Sequence, residues 1–236
     1  MFRKVLIANR GAIAVRVART LRSMGIECVG VYAESDRDSL HLSAVDTAIS
    51  LGEGRAADTY LNQDKLLSII AAHGIEAVHP GYGFLSENAA FAERLEREGV
   101  TFIGPKPEHL RQFGLKHEAR DTALTAGVNL LPGSELLRSL DEAQDRASEI
   151  GYPIMLKSTA GGGGIGMQRC ASSDELTRAY ETVRELAGNN FGDDGVFLER
   201  LIVSPRHVEV QAFGDGKGQG SRSVIVIVRC REDIRR

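Results

Sequence analysis

The sequence predicts an α/β protein whose first hundred residues form an open, doubly wound parallel sheet, with a second α+β unit behind it. Two observations predict this. Short apolar runs alternate with segments of helical spacing from residue 4 to residue 103. After residue 139 a helix, a strand, a glycine run and a second strand follow in close order.

Lys4 to Ala8 is an apolar strand, and Asn9-Arg10-Gly11 is a turn. Ile13, Val17, Leu21 and Met24 then recur at helical spacing until Gly25, and Cys28 to Tyr32 is the second strand. A strand, a helix and a strand in that order imply a parallel pair. Thr47 to Leu51, Glu76 to His79 and Val100 to Ile103 read as further strands, with helices at Leu66 to Ala72 and Ala89 to Arg97. A dinucleotide site at the first turn requires G-x-G-x-x-G. Asn9 to Ala14 contains one glycine, which argues against it.

Gly104-Pro105 ends this sheet. Helical patterns follow at Pro107 to Phe113 and Lys116 to Ala126. The second unit reads as helix Leu140 to Ile150, strand Ile154 to Lys157, strand Met167 to Cys170, helix Ser173 to Glu185 and strand Val196 to Leu201. Gly188 to Gly195 is expected to be a flexible connection. His207 to Phe213 alternates as a half-buried strand does, with a turn at Asp215-Gly216.

Composition excludes several roles. The chain has 236 residues, 42% apolar and 26% charged, with a formal charge of -3. These values suit a globular protein and give no support to nucleic-acid or membrane-surface binding. No run reaches membrane-spanning length, and residues 1 to 16 do not form a signal peptide, so a cytoplasmic protein is expected. Cys28, Cys170 and Cys230 lack metal or redox spacing, and the first two read as buried thiols.

The stretch with chemistry is Pro153 to Met167. An apolar run delivers Lys157, and four consecutive glycines, Gly161 to Gly164, follow it closely. Glycines expose backbone N–H groups and allow close approach to a ligand, and a lysine beside them supplies a point charge for phosphate. The pair suggests a lid over a nucleoside triphosphate. Alone, a glycine run serves equally as a surface turn, and the P-loop spacing is absent. Glu199 interrupts an apolar strand, as a side chain accepting a proton from a base does, or as an edge-strand glutamate facing solvent does. Taken alone, Lys116 reads as an ordinary helix-surface lysine and His207 as a plain strand histidine. Tyr82 and Glu87 lie in a glycine-rich loop at the carboxyl edge of the first sheet, where ligands collect, though a structural turn also explains that loop.

Five segments carry a family resemblance: Ile7 to Gly11, His79 to Asn88, Phe102 to Lys106, Lys157 with its glycine loop, and Pro205 to Glu209. In that order they resemble biotin carboxylase, an ATP-grasp enzyme. His79 to Asn88 is the most specific of them. Gln112 to Arg120 and Ile165 look most like the urea carboxylase branch found in urea amidolyases. The likeness covers residues 1 to about 219, about the first half of such a domain. Ala12 departs from it, standing where many members have glutamate.

The resemblance implies a pre-ATP-grasp N-terminal domain over 1–115, an ATP-grasp linker and lid domain over 116–202, and the start of an incomplete C-terminal ATP-grasp domain over 203–236. It implies ATP-dependent activation of bicarbonate to carboxyphosphate and carboxylation of biotin carried on a partner domain, with Mg2+ and a tendency to dimerise. Lys116 and Lys157 match lysines that hold the phosphates. Gly162, Gly163, Gly164 and Gly166 match the lid loop, and Glu199, Arg200 and Leu201 match the strand that reads adenine. Met167 matches a residue packing near that base, and His207 a histidine at the nucleotide. Tyr82 and Glu87 are the candidate active-site loop residues, and no catalytic residue or metal ligand is assigned.

From Gly220 the resemblance stops. With permitted codons, a one-base shift of frame across Ser223 to Arg236 reads Gly-Asp-Arg-Asp-Cys-Ser-Leu-Gln-Arg-Arg-His-Gln-Lys, which resembles the family's Gly-Glu-Arg-Asp-Cys-Ser-Leu-Gln-Arg-Arg, then His or Asn, then Gln-Lys. The expectation is a single-base insertion or deletion near Gly220 to Arg222, in the gene or its reading, which resequencing tests. On that expectation the acidic and cationic residues for magnesium and bicarbonate lie outside the chain. The chain alone is then inactive or nearly so. A non-catalytic fragment and another ATP-grasp ligase are the competing readings. Val224 to Val228 is an uncharged β-prone run, a hazard for aggregation if unpaired.

Overall fold

The computed structural model describes residues 1–160, 166–203, 207–214 and 220–228. The chain divides into two compact units, Met1–Leu130 and Leu131–Arg236.

The first unit holds β1 (Lys4–Ile7), α1 (Gly11–Ser23), β2 (Glu27–Tyr32), β3 (Thr47–Ser50), α2 (Gln63–His73), β4 (Ala77–His79), α3 (Ala89–Arg97), β5 (Thr101–Phe102), α4 (Pro107–Gly114) and α5 (Lys116–Thr125). The five strands are all parallel in the order β3-β2-β1-β4-β5. Parallel strands are covered on both faces and therefore read as continuous apolar runs. Val5, Leu6 and Ile7 accordingly have no exposed surface. Val5, Ile7 and Cys28 pack with Ala14, Val17, Ala18 and Leu21 of α1. Leu6, Val29, Val31 and Val78 pack with Leu66 and Ile70 of α2 and Phe91 and Leu95 of α3. One helix thus covers one face and two helices the other, which is the doubly wound arrangement expected.

Helix ends follow local chemistry. The Asn62 side chain accepts from the Lys65 N–H and starts α2 at Gln63, ahead of the apolar periodicity that begins at Leu66. Gly74, in the left-handed region, ends it. Asn88 caps α3 in the same way through the Phe91 N–H.

The second unit contains α6 (Leu140–Ile150), β6 (Ile154–Ser158), β7 (Met167–Cys170), α7 (Ser173–Phe191) and β8 (Val196–Arg200). Its antiparallel sheet runs β7-β6-β8. Ile154, Leu156, Cys170, Val196 and Leu198 point to the helices and pack with Ala143, Ala147, Leu176, Tyr180 and Val183. One expectation is corrected here. Gly188, Asn189 and Asn190 are not a flexible connection; α7 continues through them to Phe191 and stops at Gly192. Ala187 is fully buried, so packing of that turn outweighs the low helix propensity of Gly and Asn.

β9 (His207–Gly214) and β10 (Gly220–Val228) form an antiparallel pair with an irregularity between Arg222 and Val224. The uncharged run from Val224 to Val228 is paired with His207 to Gln211. The expected turn at Asp215-Gly216 lies outside the described residues. Among the described residues no helix is long and apolar enough to cross a membrane.

Candidate functional site

In the second unit the pleat sorts the sheet into two faces. Ile154, Leu156 and Ser158 of β6 are fully buried, whereas Met155 and Lys157 between them are only partly so. Register places Lys157 opposite Met167 of β7 and Phe197 of β8, and Met155 opposite Arg169 and Glu199. Directly paired residues share a face. The face away from the helices therefore carries Lys157, Met167 and Glu199 together.

The Lys157 ammonium forms an ion pair with the Glu199 carboxylate, with side-chain exposures of 25% and 18%. Glu199 is not a solvent-facing edge glutamate. The outer side of β8 is closed, since the Ser134 N–H donates to Leu198, the Arg200 N–H donates to Pro132, and Gly133 bridges Glu199. Arg200 alternates to the other side and is exposed, and Leu201 is half-buried with its N–H donating to Pro153.

The stem of the glycine loop is described, although Gly161 to Gly164 and Ile165 lie outside the described residues. The Ser158 N–H donates to Gly166 at 2.7 Å, and the buried Ser158 hydroxyl donates to Ala160 at 2.8 Å. Gly166 has φ +73°, and a Cβ there would lie 2.4 Å from Ser158 Oγ. Only glycine fits this position without strain. Thr159, buried, donates its N–H to Gly195 at 2.8 Å and fixes the next residue.

Other expected residues fall elsewhere. Lys116 is the first residue of α5, in the first unit, and is partly buried. His207 opens β9, opposite Val228, and its side chain lies outside the described set, as do Pro205 and Arg206.

In the first unit the carboxyl ends of β1 and β4, neighbouring strands from which the chain departs in opposite directions, carry two loops. Ligands gather at such a switch point. Asn9, only 3% exposed, donates from Nδ2 to the carbonyls of Pro80 at 2.8 Å and Tyr82 at 2.9 Å. Its Oδ1 accepts from the Arg10 N–H. His79 Nδ1 accepts from the Gly81 N–H at 3.0 Å, and burial pushes the imidazole below its ordinary range. Tyr82 is left 76% exposed, and Glu87 is exposed beside it.

Residues that spacing did not single out support this loop. Phe84 adopts φ +47°, rare for an aromatic residue, and stacks on Tyr60 with centroids 4.7 Å apart. The Arg10 guanidinium lies 5.5 Å from the Tyr60 ring and 5.7 Å from the Phe84 ring. It also donates to both oxygens of Asp36, at 3.0 and 2.8 Å. Burial opposes ionisation of Asp36, but the Tyr60 hydroxyl and then Arg10 outweigh it and hold the carboxyl below its usual range. Tyr60 in turn is raised, by burial first and by Asp36 second. In the sequence Asn9 and Arg10 stood only as a turn after the first strand and as part of a family segment; nothing in the spacing pointed to Tyr60.

Cys28 and Cys170 are buried, and burial pushes the Cys170 thiol up to about 11. Both are inert as nucleophiles at neutral pH. Cys230 lies outside the described residues. Among the described residues no cluster of three or more His, Cys, Asp or Glu side chains could hold a metal ion.

Two family models match the chain. Residues 1–110 match "Biotin carboxylase, N-terminal domain". Residues 116–233 match "Carbamoyl-phosphate synthase L chain, ATP binding domain", a match that runs on past Gln219. Urea amidolyase of Lachancea kluyveri is 49% identical over 218 residues, covering 92% of this chain and 12% of that protein. Biotin carboxylase 2 of Bacillus subtilis is 47% identical over 219 residues, covering 92% of this chain and 49% of that protein. The Campylobacter jejuni biotin carboxylase structure, a beta-gamma-ATP complex, superposes with TM-score 0.91 at 39% identity, covering 94% of this chain and 50% of that one. The biotin carboxylase domain of Hydrogenobacter thermophilus 2-oxoglutarate carboxylase, in complex with MgADP, ADP and bicarbonate, gives TM-score 0.90 at 42% identity, covering 94% and 49%. The chain therefore spans half or less of the length of these relatives.

Proposed function

Because this chain belongs to the biotin carboxylase family, carrying the family's N-terminal domain and ATP-binding-domain sequence, we propose that it forms the nucleotide-handling part of a biotin carboxylase-type ligase of the urea carboxylase branch. The carrying observation is the sheet face on which Lys157, Met167 and Glu199 converge beside the stem of the glycine loop.

Lys157 is the phosphate-binding cation in this reading, and Lys116 is a second one. The backbone of Gly162, Gly163, Gly164 and Gly166 covers the phosphates. Glu199, Arg200 and Leu201 read the adenine edge, Met167 packs on its ring, and His207 stands at the nucleotide. Tyr82 and Glu87 face the reacting partners, bicarbonate and a biotinylated carrier domain, and the protein works in the cytoplasm, with dimers as its assembly. Magnesium supplies charge neutralisation to the triphosphate when bound. Among the described residues no cluster of three or more His, Cys, Asp or Glu side chains stands ready to hold it, and no step here is routed through it.

This 236-residue chain is expected to bind ATP weakly and to turn it over slowly. The test is calorimetric titration with ATP, together with ATP cleavage in the presence of bicarbonate and free biotin. The chain is measured beside one with Ser223 to Arg236 replaced by the shifted-frame sequence and continued to full family length. Cleavage by this chain at a rate like that of the longer one overturns the inactivity. Absence of ATP binding to both overturns the nucleotide reading.

A further inference from the structure

We infer that Asn9 and Arg10 are positioning residues that lock the loop from Pro80 to Glu87, so that Tyr82 is presented as a rigid, exposed aromatic platform at the sheet edge. The inference rests on the reading of that loop as facing a ligand.

Four observations carry it. The Asn9 amide spends both its protons on loop carbonyls, those of Pro80 and Tyr82, so it spans the residue between them. Gly81 is pressed on Asn9 so closely that a Cβ would lie 2.5 Å from Nδ2, and at φ +67° the position is already one for glycine. Arg10 then fixes the far side. Its guanidinium is held by the two Asp36 oxygens and lies over the paired rings of Tyr60 and Phe84. Phe84 keeps a backbone conformation, φ +47°, that is costly for a residue with a Cβ and persists only where its surroundings over-determine it. The five side chains of Asn9, Arg10, Asp36, Tyr60 and Phe84 are thus engaged, and one large group is left uncovered. Tyr82 is 76% exposed between two held residues, Gly81 and Phe84. A loop needed only as a turn requires neither a buried amide clamp nor a strained aromatic. Rigid presentation of an exposed ring lowers the entropy lost when a ligand packs on it.

The test measures local order, without nucleotide. Asn9→Asp keeps the acceptor for the Arg10 N–H and removes both donors, and Arg10→Lys keeps the charge and removes the planar guanidinium over the two rings. Hydrogen exchange by mass spectrometry on the full chain is expected to show residues 81–84 exchanging at least about tenfold faster in Asn9→Asp, with β1 and β4 unchanged. Arg10→Lys is expected to accelerate Phe84 and Leu85 more than Gly81. The chain contains no tryptophan, so Tyr82→Trp gives a single reporter whose anisotropy falls when Asn9→Asp is added. Unchanged exchange over 81–84, or equal acceleration of every strand, overturns the inference, as does an anisotropy that stays constant. Since no readout uses ATP, a failure here is distinct from a failure of nucleotide binding.

Discussion

The Lys157 ammonium and the Glu199 carboxylate meet diagonally across β6 and β8, each less than a third exposed. By resemblance one belongs to the phosphates and the other to the adenine, yet they are partners in this fold. Each keeps the other compensated on a half-buried surface. Removing one takes this ion pair away from a half-buried surface, which costs stability. Lys157→Met and Glu199→Gln are each expected to lower stability by about 1–2 kcal/mol in urea unfolding. The double variant is expected to recover most of that loss. Additive losses in the double variant would show that the two are uncoupled.

Gly166 is the second point of constraint. Its positive φ and the closeness of Ser158 Oγ both exclude a side chain. Gly166→Ala is expected to cost about 2 kcal/mol. Ser158→Ala added to it removes the oxygen contact but not the backbone strain, so only part of the stability returns. Full recovery would place the whole cost in the contact and none in φ.

His79 gives a pH dependence with a definite sign. Burial lowers its folded-state value, so the unfolded chain binds the proton more readily. Stability is unaffected above the ordinary histidine range, near 6.5, and falls as pH drops below it toward the lowered value. His79→Asn keeps an acceptor for the Gly81 N–H and does not titrate. Denaturation midpoints measured between about pH 7 and pH 5 are expected to fall more for the parent than for this variant. Parallel slopes would assign the dependence to other groups.

β10 makes a prediction of another kind. Its partner among the described residues is β9, and a two-stranded sheet is marginal in water. Val208 and Val210 of β9 are 50% and 54% exposed. An uncharged β-branched run such as Val224 to Val228 in that setting pairs readily with copies of itself. Sedimentation velocity is expected to show larger species as concentration rises, and Val226→Lys is expected to suppress them. Identical sedimentation of the variant and the parent would remove β10 from the cause.

Period and punctuation carried most of the fold. The strand at Met167–Cys170 and the helices at Ala89–Arg97 and Leu140–Ile150 have the bounds their patterns imply. The extent of α7 did not follow from the pattern, because Gly188 and Asn189 speak against helix locally and the burial of Ala187 is a tertiary matter. The site was legible in part. Lys157, Met167 and Glu199 were each named from the chain, but the pairing of the first with the last depends on register across two strands, and no linear spacing encodes that. Asp36 and Tyr60 were invisible, as they matter only through contacts with Arg10 and Phe84.

By itself the sequence determined most strand and helix types and the family, because periodicity, caps and contiguous motifs are local quantities. Tertiary structure alone decided which charges are neighbours, which glycine admits no Cβ, and which tyrosine stands exposed. Those depend on distances between segments far apart in the chain, and they are settled only when burial forces each polar group to find its partner.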